Sequence, residues 1–288
     1  MLYVNNGYLG RMNDTYLIIV LYNPTEECKL YWRKKSDEIG NCIFVDNSSD
    51  PDKVFFGSFS DYIPLYENKG IAAAQNIGIK RAKDKNAVCV IFFDQDSNIS
   101  KKLCLQLCNE FKDLNNHGKK VGAVGPSLIN IETGKTYKGS DIIDGTPVET
   151  DTIISSGTIT SLDVLDRVGF MNERLFIDLV DHEWCWRARS KGYAIYRSTQ
   201  AVLKHHVGGK TNYLLGYPII VSAPKRYYYQ YRNTFWLAKT LLPPVMWKKR
   251  VAIRRLVEFV CVPFMSDKPF KTWLYMIKGI KCGISENL

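Results

Sequence analysis

The chain has 288 residues, 45% of them hydrophobic and 24% charged, which excludes a disordered, collagen-like or low-complexity polypeptide. Its net charge of +10 is unevenly spread: residues 1–199 carry 24 basic and 26 acidic side chains, whereas residues 200–288 carry 15 basic and only 3 acidic. Eight cysteines with no CxxC pair and no zinc-spaced Cys/His cluster exclude a disulfide scaffold and a zinc module. No basic segment followed by a long apolar core opens the chain, and no apolar run reaches the roughly 18–20 residues that span a bilayer. Leu256–Met265 is too short and holds Glu258. These features predict a protein of a reducing cytosol.

In chain order, Tyr16–Tyr22 is a continuous apolar run ending at Asn23-Pro24, the pattern of a buried strand and a turn. A helix is predicted from Thr25 to about Lys35, with Thr25 as cap and Glu26 and Glu27 in its first turn. Cys42–Val45 is a short strand stopped by Asp46-Asn47-Ser48-Ser49-Asp50, and Tyr62–Tyr66 a third strand. Gly70–Lys83 has helical composition, Ala87–Phe93 is the clearest buried strand, Ser100–Asn115 a helix and Val121–Ile129 a strand. Continuous apolar strands separated by helices imply an α/β fold with a mainly parallel sheet covered on both faces. Ligands of such sheets collect beyond the carboxyl ends of the strands. Polar clusters fall at those ends: Asn23, Asp46-Asn47-Ser48, Asn68 and Asp94-Gln95-Asp96. Beyond residue 130 the pattern is less regular, with a hairpin turn at Thr133-Gly134-Lys135 and the small-residue run Ser155-Ser156-Gly157. From Pro224 onward the chain reads as helices punctuated by Pro243-Pro244, Pro263 and Pro269.

Three clusters carry candidate chemistry. Phe92-Phe93-Asp94-Gln95-Asp96-Ser97 delivers two carboxylates from one apolar strand; such hard oxygens suit Mg²⁺ or Mn²⁺, although solvated turns hold the same pattern. Phe176–Arg187 places Asp178, Asp181 and Glu183 within six residues. With a helix starting near Asp181, that carboxylate stays ionised at the helix N-terminus and serves as a base, or it merely caps the helix while Glu183 and Arg187 form an i,i+4 surface pair. The third cluster is Leu203–Gly209. The chain has four histidines, and the adjacent His205 and His206 face opposite sides of a strand, so at most one joins a metal site.

Taken in order, Tyr22-Asn23-Pro24, Val45-Asp46-Asn47-Ser48, the Asn68–Gly78 segment, Phe93-Asp94-Gln95-Asp96, Ser156-Gly157, Phe176–Glu183 and His205-x-x-Gly208 resemble family 2 glycosyltransferases. Within that family the chain is most similar to the bacterial rhamnosyltransferase-type enzymes of O-antigen and capsular polysaccharide synthesis, which the Tyr227–Asn233 segment also resembles. The likeness spans roughly residues 15–240.

The resemblance implies a GT-A fold, a dTDP- or UDP-sugar donor, a divalent metal and inverting transfer of one sugar, rhamnose from dTDP-rhamnose, to a lipid-linked saccharide. It implies that Asp46 contacts the nucleobase, that Asn23, Asn68 and Gly157 shape the donor pocket, and that Asp94 approaches the ribose. Asp96 would bind the metal held by the diphosphate, with His205 able to join it, and Asp181 would be the catalytic base, with Arg187 at the family's usual spacing. The family's acid–acid pair reads Val180-Asp181 here, which leaves Asp178 and Glu183 as neighbours for the same role. The Gln-x-x-Arg-Trp motif of processive members is absent, in keeping with single-sugar transfer.

A nucleotidyltransferase would share the sheet and the acids, but its Gly-rich phosphate loop is replaced here by Tyr22-Asn23-Pro24-Thr25. Nothing in the sequence marks a nucleic-acid-binding module. The predicted organisation is a catalytic domain over 1–223 and a basic helical extension over 224–288. On a helical projection of 245–260, Met246, Ile253, Leu256, Val257 and Val260 share a face flanked by Lys248, Arg250, Arg254 and Arg255. Docking on the catalytic domain produces that pattern, and so does contact with an anionic membrane surface; a lipid-linked acceptor favours peripheral attachment to the inner face of the cytoplasmic membrane.

Overall fold

A computed structural model describes residues 12–57, 59, 61–130, 134, 136, 145–205, 210–214, 217–286 and 288. It divides into two compact units: Met1–Glu173 with Trp184–His206, and Arg174–Glu183 with Val207–Leu288.

The first unit is built on strands β1 (Thr15–Leu21), β2 (Cys42–Asp46), β3 (Tyr62–Pro64), β4 (Cys89–Asp94), β5 (Val121–Asn130), β6 (Val148–Thr150), β7 (Ile159–Ser161) and β8 (Ala194–His205). They form one eight-stranded sheet in the order β3-β2-β1-β4-β7-β5-β8-β6. β1 to β4 are mutually parallel, as are β5 and β8. The sequence did not single out β7, which runs antiparallel between β4 and β5, nor β6, which runs antiparallel along β8. Both are three residues long, too short to show a period.

Each helix follows from local chemistry. α1 (Glu26–Ile39) starts where Thr25 Oγ1 accepts from the Cys28 amide at 3.2 Å, and α4 (Lys101–Asn116) where Ser100 Oγ accepts from the Leu103 amide at 3.2 Å. The short α2 (Lys53–Phe56) is capped by Asp52 in the same way. Alternation along β1 divides the core. Leu17, Ile19 and Leu21 are buried in one cluster with Trp32 of α1 and Leu107 of α4. On α3 (Ile71–Asp84), Gly78 lies so close to β1 that a Cβ there would stand 2.4 Å from Ile18 Cγ2. α5 (Leu162–Val168) and α6 (Val180–Ser190) complete the helices up to β8. The expected hairpin at Thr133-Gly134-Lys135 has two of its residues, Thr133 and Lys135, outside the described residues, as are His206, Val207, Gly208 and Gly209 of the late histidine segment. All eight cysteines are free thiols, and Cys89 is fully buried in β4.

The second unit holds the hairpin β9 (Lys210–Leu214) and β10 (Tyr217–Val221) and helices α7 (Pro224–Lys239), α8 (Val245–Met265) and α9 (Pro269–Ser285). Pro224 and Pro269 open their helices, where no N–H is needed. Pro263 corrects the expectation of a break, because it lies inside α8. A proline there deprives the Phe259 carbonyl of its helical partner, and the Trp273 indole of α9 donates to that oxygen at 2.8 Å. α9 packs directly on the backbone of α7: a Cβ on Gly279 would fall 2.4 Å from the Tyr228 carbonyl oxygen. Glu258, buried in α8, is paired with Arg254 at 2.8 Å and with Arg255. Among the described residues no helix is long and apolar enough to cross a membrane.

Candidate active site

The sheet register brings the predicted polar clusters to one edge. Leu21 of β1 pairs with Asp46 of β2, and Val20 pairs with Asp94 of β4. Asp46 and Asp94 therefore flank β1, about 10 Å apart across two interstrand spacings. Asp46 is fully buried; its Oδ1 accepts from the Ser48 amide at 3.0 Å and its Oδ2 from the Tyr62 hydroxyl at 2.7 Å. Burial and the neighbouring Asp46 carboxylate both push the Tyr62 phenol up, so it remains a donor. Asn23 has a φ of 45°, and its amide donates to Ser48 Oγ at 2.7 Å, which ties the end of β1 to the end of β2. Asn68 Oδ1 accepts from Asn47 Nδ2 and from the Gly70 amide, each at 3.0 Å, while Asn47 Oδ1 accepts from the Lys69 amide at 2.8 Å. These paired amides shape the start of α3.

The Asp94-Gln95-Asp96 turn is held through its middle residue. Gln95 Oε1 accepts from the Tyr22 amide at 2.7 Å, and Gln95 Nε2 donates to the Tyr22 carbonyl at 3.2 Å. The Gln95 carbonyl accepts from the Trp32 indole at 2.8 Å. Both Asp94 and Asp96 are thereby left at the edge, Asp94 half-buried and Asp96 exposed. Burial and the Asp96 charge together push the Cys28 thiol up to about 11. Opposite this turn, the Gly157 amide donates to the Phe92 carbonyl at 2.7 Å, and the Ser97 and Ser156 hydroxyls are 2.6 Å apart. Gly157 has a φ of 81°, and a Cβ there would lie 2.6 Å from Pro126 Cγ, so no other residue fits. His205 ends β8 opposite Asn130, and its neighbour Lys204 bridges to Asn98, two residues beyond Asp96. The His205 side chain lies outside the described part of the chain.

A divalent cation fits this edge in one way. Among the described residues no three His, Cys, Asp or Glu side chains gather into a cage. Asp96 instead presents one exposed carboxylate on an anchored turn. One or two carboxylates completed by phosphate oxygens and water are the usual donors for Mg²⁺.

Asp181 belongs to the second unit, in the first turn of α6. Its side chain is 23% exposed, and its Oδ1 lies 2.9 Å from both the His182 amide and the His182 ring Nδ1. Burial alone pulls the His182 imidazole down, but the charge and hydrogen bond of Asp181 outweigh it and hold the ring above its ordinary pKa. Its two acidic neighbours are placed differently. The Asp178 carboxylate forms a two-pronged pair with Arg226, Nη2 to Oδ1 at 2.8 Å and Nε to Oδ2 at 3.0 Å. Glu183 is 2% exposed and so does not lie at the surface, and Arg187 donates to the carbonyls of Val168, Gly169 and Phe170.

Sequence reasoning missed Tyr62, Trp32 and Gln95 as supports of the sheet edge and, in the second unit, Arg226 as the partner of Asp178. Gln95 stood within its motif, but the partners of the others come from distant segments.

The mostly parallel sheet flanked by helices defines an α/β protein, and its relatives define the family. Residues 32–146 match the profile described as Glycosyl transferase family 2. The chain is 31% identical over 262 residues to the dTDP-rhamnosyl transferase RfbF of Shigella flexneri, covering 85% of this chain and 87% of that protein. It is 24% identical over 203 residues to the low-salt glycan biosynthesis hexosyltransferase Agl10 of Haloferax volcanii, covering 64% of each. Among solved structures, GalNAc-T7 with UDP, GalNAc and Mn²⁺ shares the fold with a TM-score of 0.54 at 13% identity, over 88% of this chain and 58% of that one. S. aureus TarS 1–349 in complex with UDP does so with a TM-score of 0.53 at 15% identity, over 85% and 71%. The chain belongs to glycosyl transferase family 2, with the GT-A fold expected of it.

Two measurements test this geometry. Tyr62→Phe leaves Asp46 Oδ2 buried without its hydroxyl donor and is expected to cost about 1–3 kcal/mol in urea unfolding. Because the folded pKa of His182 is raised, its pairing with Asp181 contributes fully below the ordinary histidine value and is lost as pH rises through the folded value. Asp181→Asn is therefore expected to lower the His182 pKa in an NMR titration of the imidazole.

Proposed function

We propose that this glycosyltransferase moves a single rhamnose from dTDP-rhamnose to a lipid-linked glycan, with inversion and with the help of Mg²⁺ or Mn²⁺. The observation that carries the reading is the likeness to a dTDP-rhamnosyl transferase along 85% of the chain. The acids at the sheet edge support it. Asp46, backed by Tyr62, meets the nucleobase, and Asp94 meets the ribose. Asn23, Asn68 and Gly157 form the walls of the donor pocket. Asp96, with His205 at the end of β8, would hold the cation.

Asp181 acts as the base: its carboxylate takes the proton of the acceptor hydroxyl as that oxygen attacks the anomeric carbon, and the nucleoside diphosphate leaves from the opposite side. General-base help of this kind supplies about 10²–10⁴-fold. A divalent cation held there would supply charge to neutralise the departing diphosphate. The other two acids suit the role less well, since Asp178 is engaged by Arg226 and Glu183 is buried.

A donor screen by mass spectrometry, dTDP-rhamnose against UDP-hexoses with a lipid-linked acceptor, tests the substrate. Asp181→Asn is expected to bind donor normally and lose transfer, and full turnover by that variant would remove Asp181 from the mechanism. Asp96→Ala should abolish the Mg²⁺-dependent part of donor affinity in calorimetry; an unchanged difference with and without Mg²⁺ would exclude this metal role.

The catalytic domain of this reading covers 1–223, and the extension over 224–288 attaches it to the cytoplasmic face of the membrane. Ile253 and Leu256 of α8 are 66% and 67% exposed. Phe264 of α8 and Phe270 and Leu274 of α9 are exposed as well. Lys249, Arg250, Arg254, Lys268 and Lys271 are exposed among them. Each basic residue near an anionic leaflet adds about 1 kcal/mol. The protein is expected to sediment with phosphatidylglycerol-containing vesicles and not with neutral ones. Ile253→Glu combined with Leu256→Glu should release it; equal sedimentation with both vesicle types would rule out an electrostatic attachment.

A further inference from the structure

The segment leading into Asp181 has an unfavoured backbone. Phe176, Asp178 and Leu179 all have positive φ, at 64°, 64° and 65°, and none is glycine. Bulky side chains clash with their own backbone in this region, so three such residues within four positions persist only when something outside them imposes the shape.

In the second unit that outside agent is one face of α7. Arg226, Tyr229, Arg232 and Asn233 recur at spacings of three, three and one, which aligns them along the helix. The Asn233 side chain is fully buried, and its Nδ2 lies 2.9, 2.8 and 2.9 Å from the carbonyl oxygens of Leu175, Ile177 and Asp178. Arg232 sets the direction of that amide: its Nε and Nη2 donate to Asn233 Oδ1 at 3.0 and 2.9 Å, leaving the Nδ2 protons for the carbonyls. Arg232 Nη2 also reaches the carbonyls of Arg174 and Leu175, at 2.7 and 3.0 Å. The Phe176 ring stacks on Tyr229 at 4.6 Å with an interplanar angle of 11°. Arg226 grips the Asp178 carboxylate from both sides of its fork, a geometry that a lysine cannot copy.

We infer that Arg226 and Asn233 are positioning residues, which hold Phe176–Leu179 in its left-handed shape and thereby fix where α6 starts and where the Asp181 carboxylate stands. The inference rests on the reading of Asp181 as the base. None of these residues is among the proposed donor contacts, so the latch acts on turnover and leaves donor affinity alone.

The test measures kcat, donor affinity by calorimetry and the His182 titration in Arg226→Ala, Arg226→Lys, Asp178→Asn and Asn233→Ala, with Asp181→Asn alongside. Misplacement of the base by a fraction of an ångström to an ångström is expected to lower kcat by about 10–100-fold in Arg226→Ala and Asp178→Asn, with donor Kd within about twofold. Arg226→Lys should recover part of the loss. The double variant Arg226→Ala with Asp178→Asn should be no slower than either single one, because both remove the same contact. The His182 titration should shift in Arg226→Ala, as it reports on the Asp181 carboxylate. Asn233→Ala strands buried carbonyls and can fail to fold; Arg226 and Asp178 are partly exposed, and their variants keep the test open. Parental kcat and an unmoved His182 titration in folded Arg226→Ala overturn the latch, even while Asp181→Asn is inactive and the base reading stands. Full activity of Asp181→Asn overturns the base reading instead, and with it the inference.

Discussion

The arrangement of this protein depends on β1 being buried between two parallel neighbours. A strand with partners on both sides and helices over both faces has no solvated surface, which is why Tyr16–Leu21 is apolar almost throughout. Its register then decides the chemistry. With Leu21 beside Asp46 and Val20 beside Asp94, the acids that end β2 and β4 arrive within one residue of each other along the sheet. A slip of one residue would turn the side chains of a strand to the opposite face.

Around that edge the polar groups are spent on each other before they are spent on a ligand. Asp46 is shared between Tyr62 and Ser48, Gln95 between Tyr22 and Trp32, and Asn68 between Asn47 and Gly70. Asp46, fully buried, would be costly unpaired, and its bond to Tyr62, like those of Gln95 to Tyr22 and Trp32 and of Asn68 to Asn47, ties together segments that are far apart in sequence. In the Asp94-Gln95-Asp96 turn, the middle residue makes the bonds to Tyr22 and Trp32, and Asp96 is exposed.

The second unit applies the same economy to a different problem. Its helices leave an apolar and basic surface outward, while Glu258, Arg232 and Asn233 are turned inward. Glu258 is neutralised by two arginines of its own helix. Arg232 has the Trp236 ring 4.2 Å from its guanidinium carbon and hands its protons to carbonyls and to Asn233. The basic residues of 200–288 are therefore not all outward: Arg232 and Arg255 are engaged within the helices, whereas Lys249, Arg250, Lys268 and Lys271 are exposed.

Much of the fold was legible because burial leaves a period in the sequence. Thr25 caps its helix as its position predicted, the helix read over 100–115 forms as α4, and the continuous runs at 16–22 and 87–93 became β1 and β4. β7 was not legible, since three residues cannot show an alternation, and Pro263 was misread because its compensating partner, Trp273, lies ten residues on in another helix. By itself the sequence determined the acids, their order and the strand ends that carry them, because those depend on short-range patterns of apolar and polar residues. Only the tertiary structure decided what each acid is bonded to. Asp46 with Tyr62 and Asp178 with Arg226 differ in burial and partner, and hydrogen bonds between distant segments are set by how the elements pack.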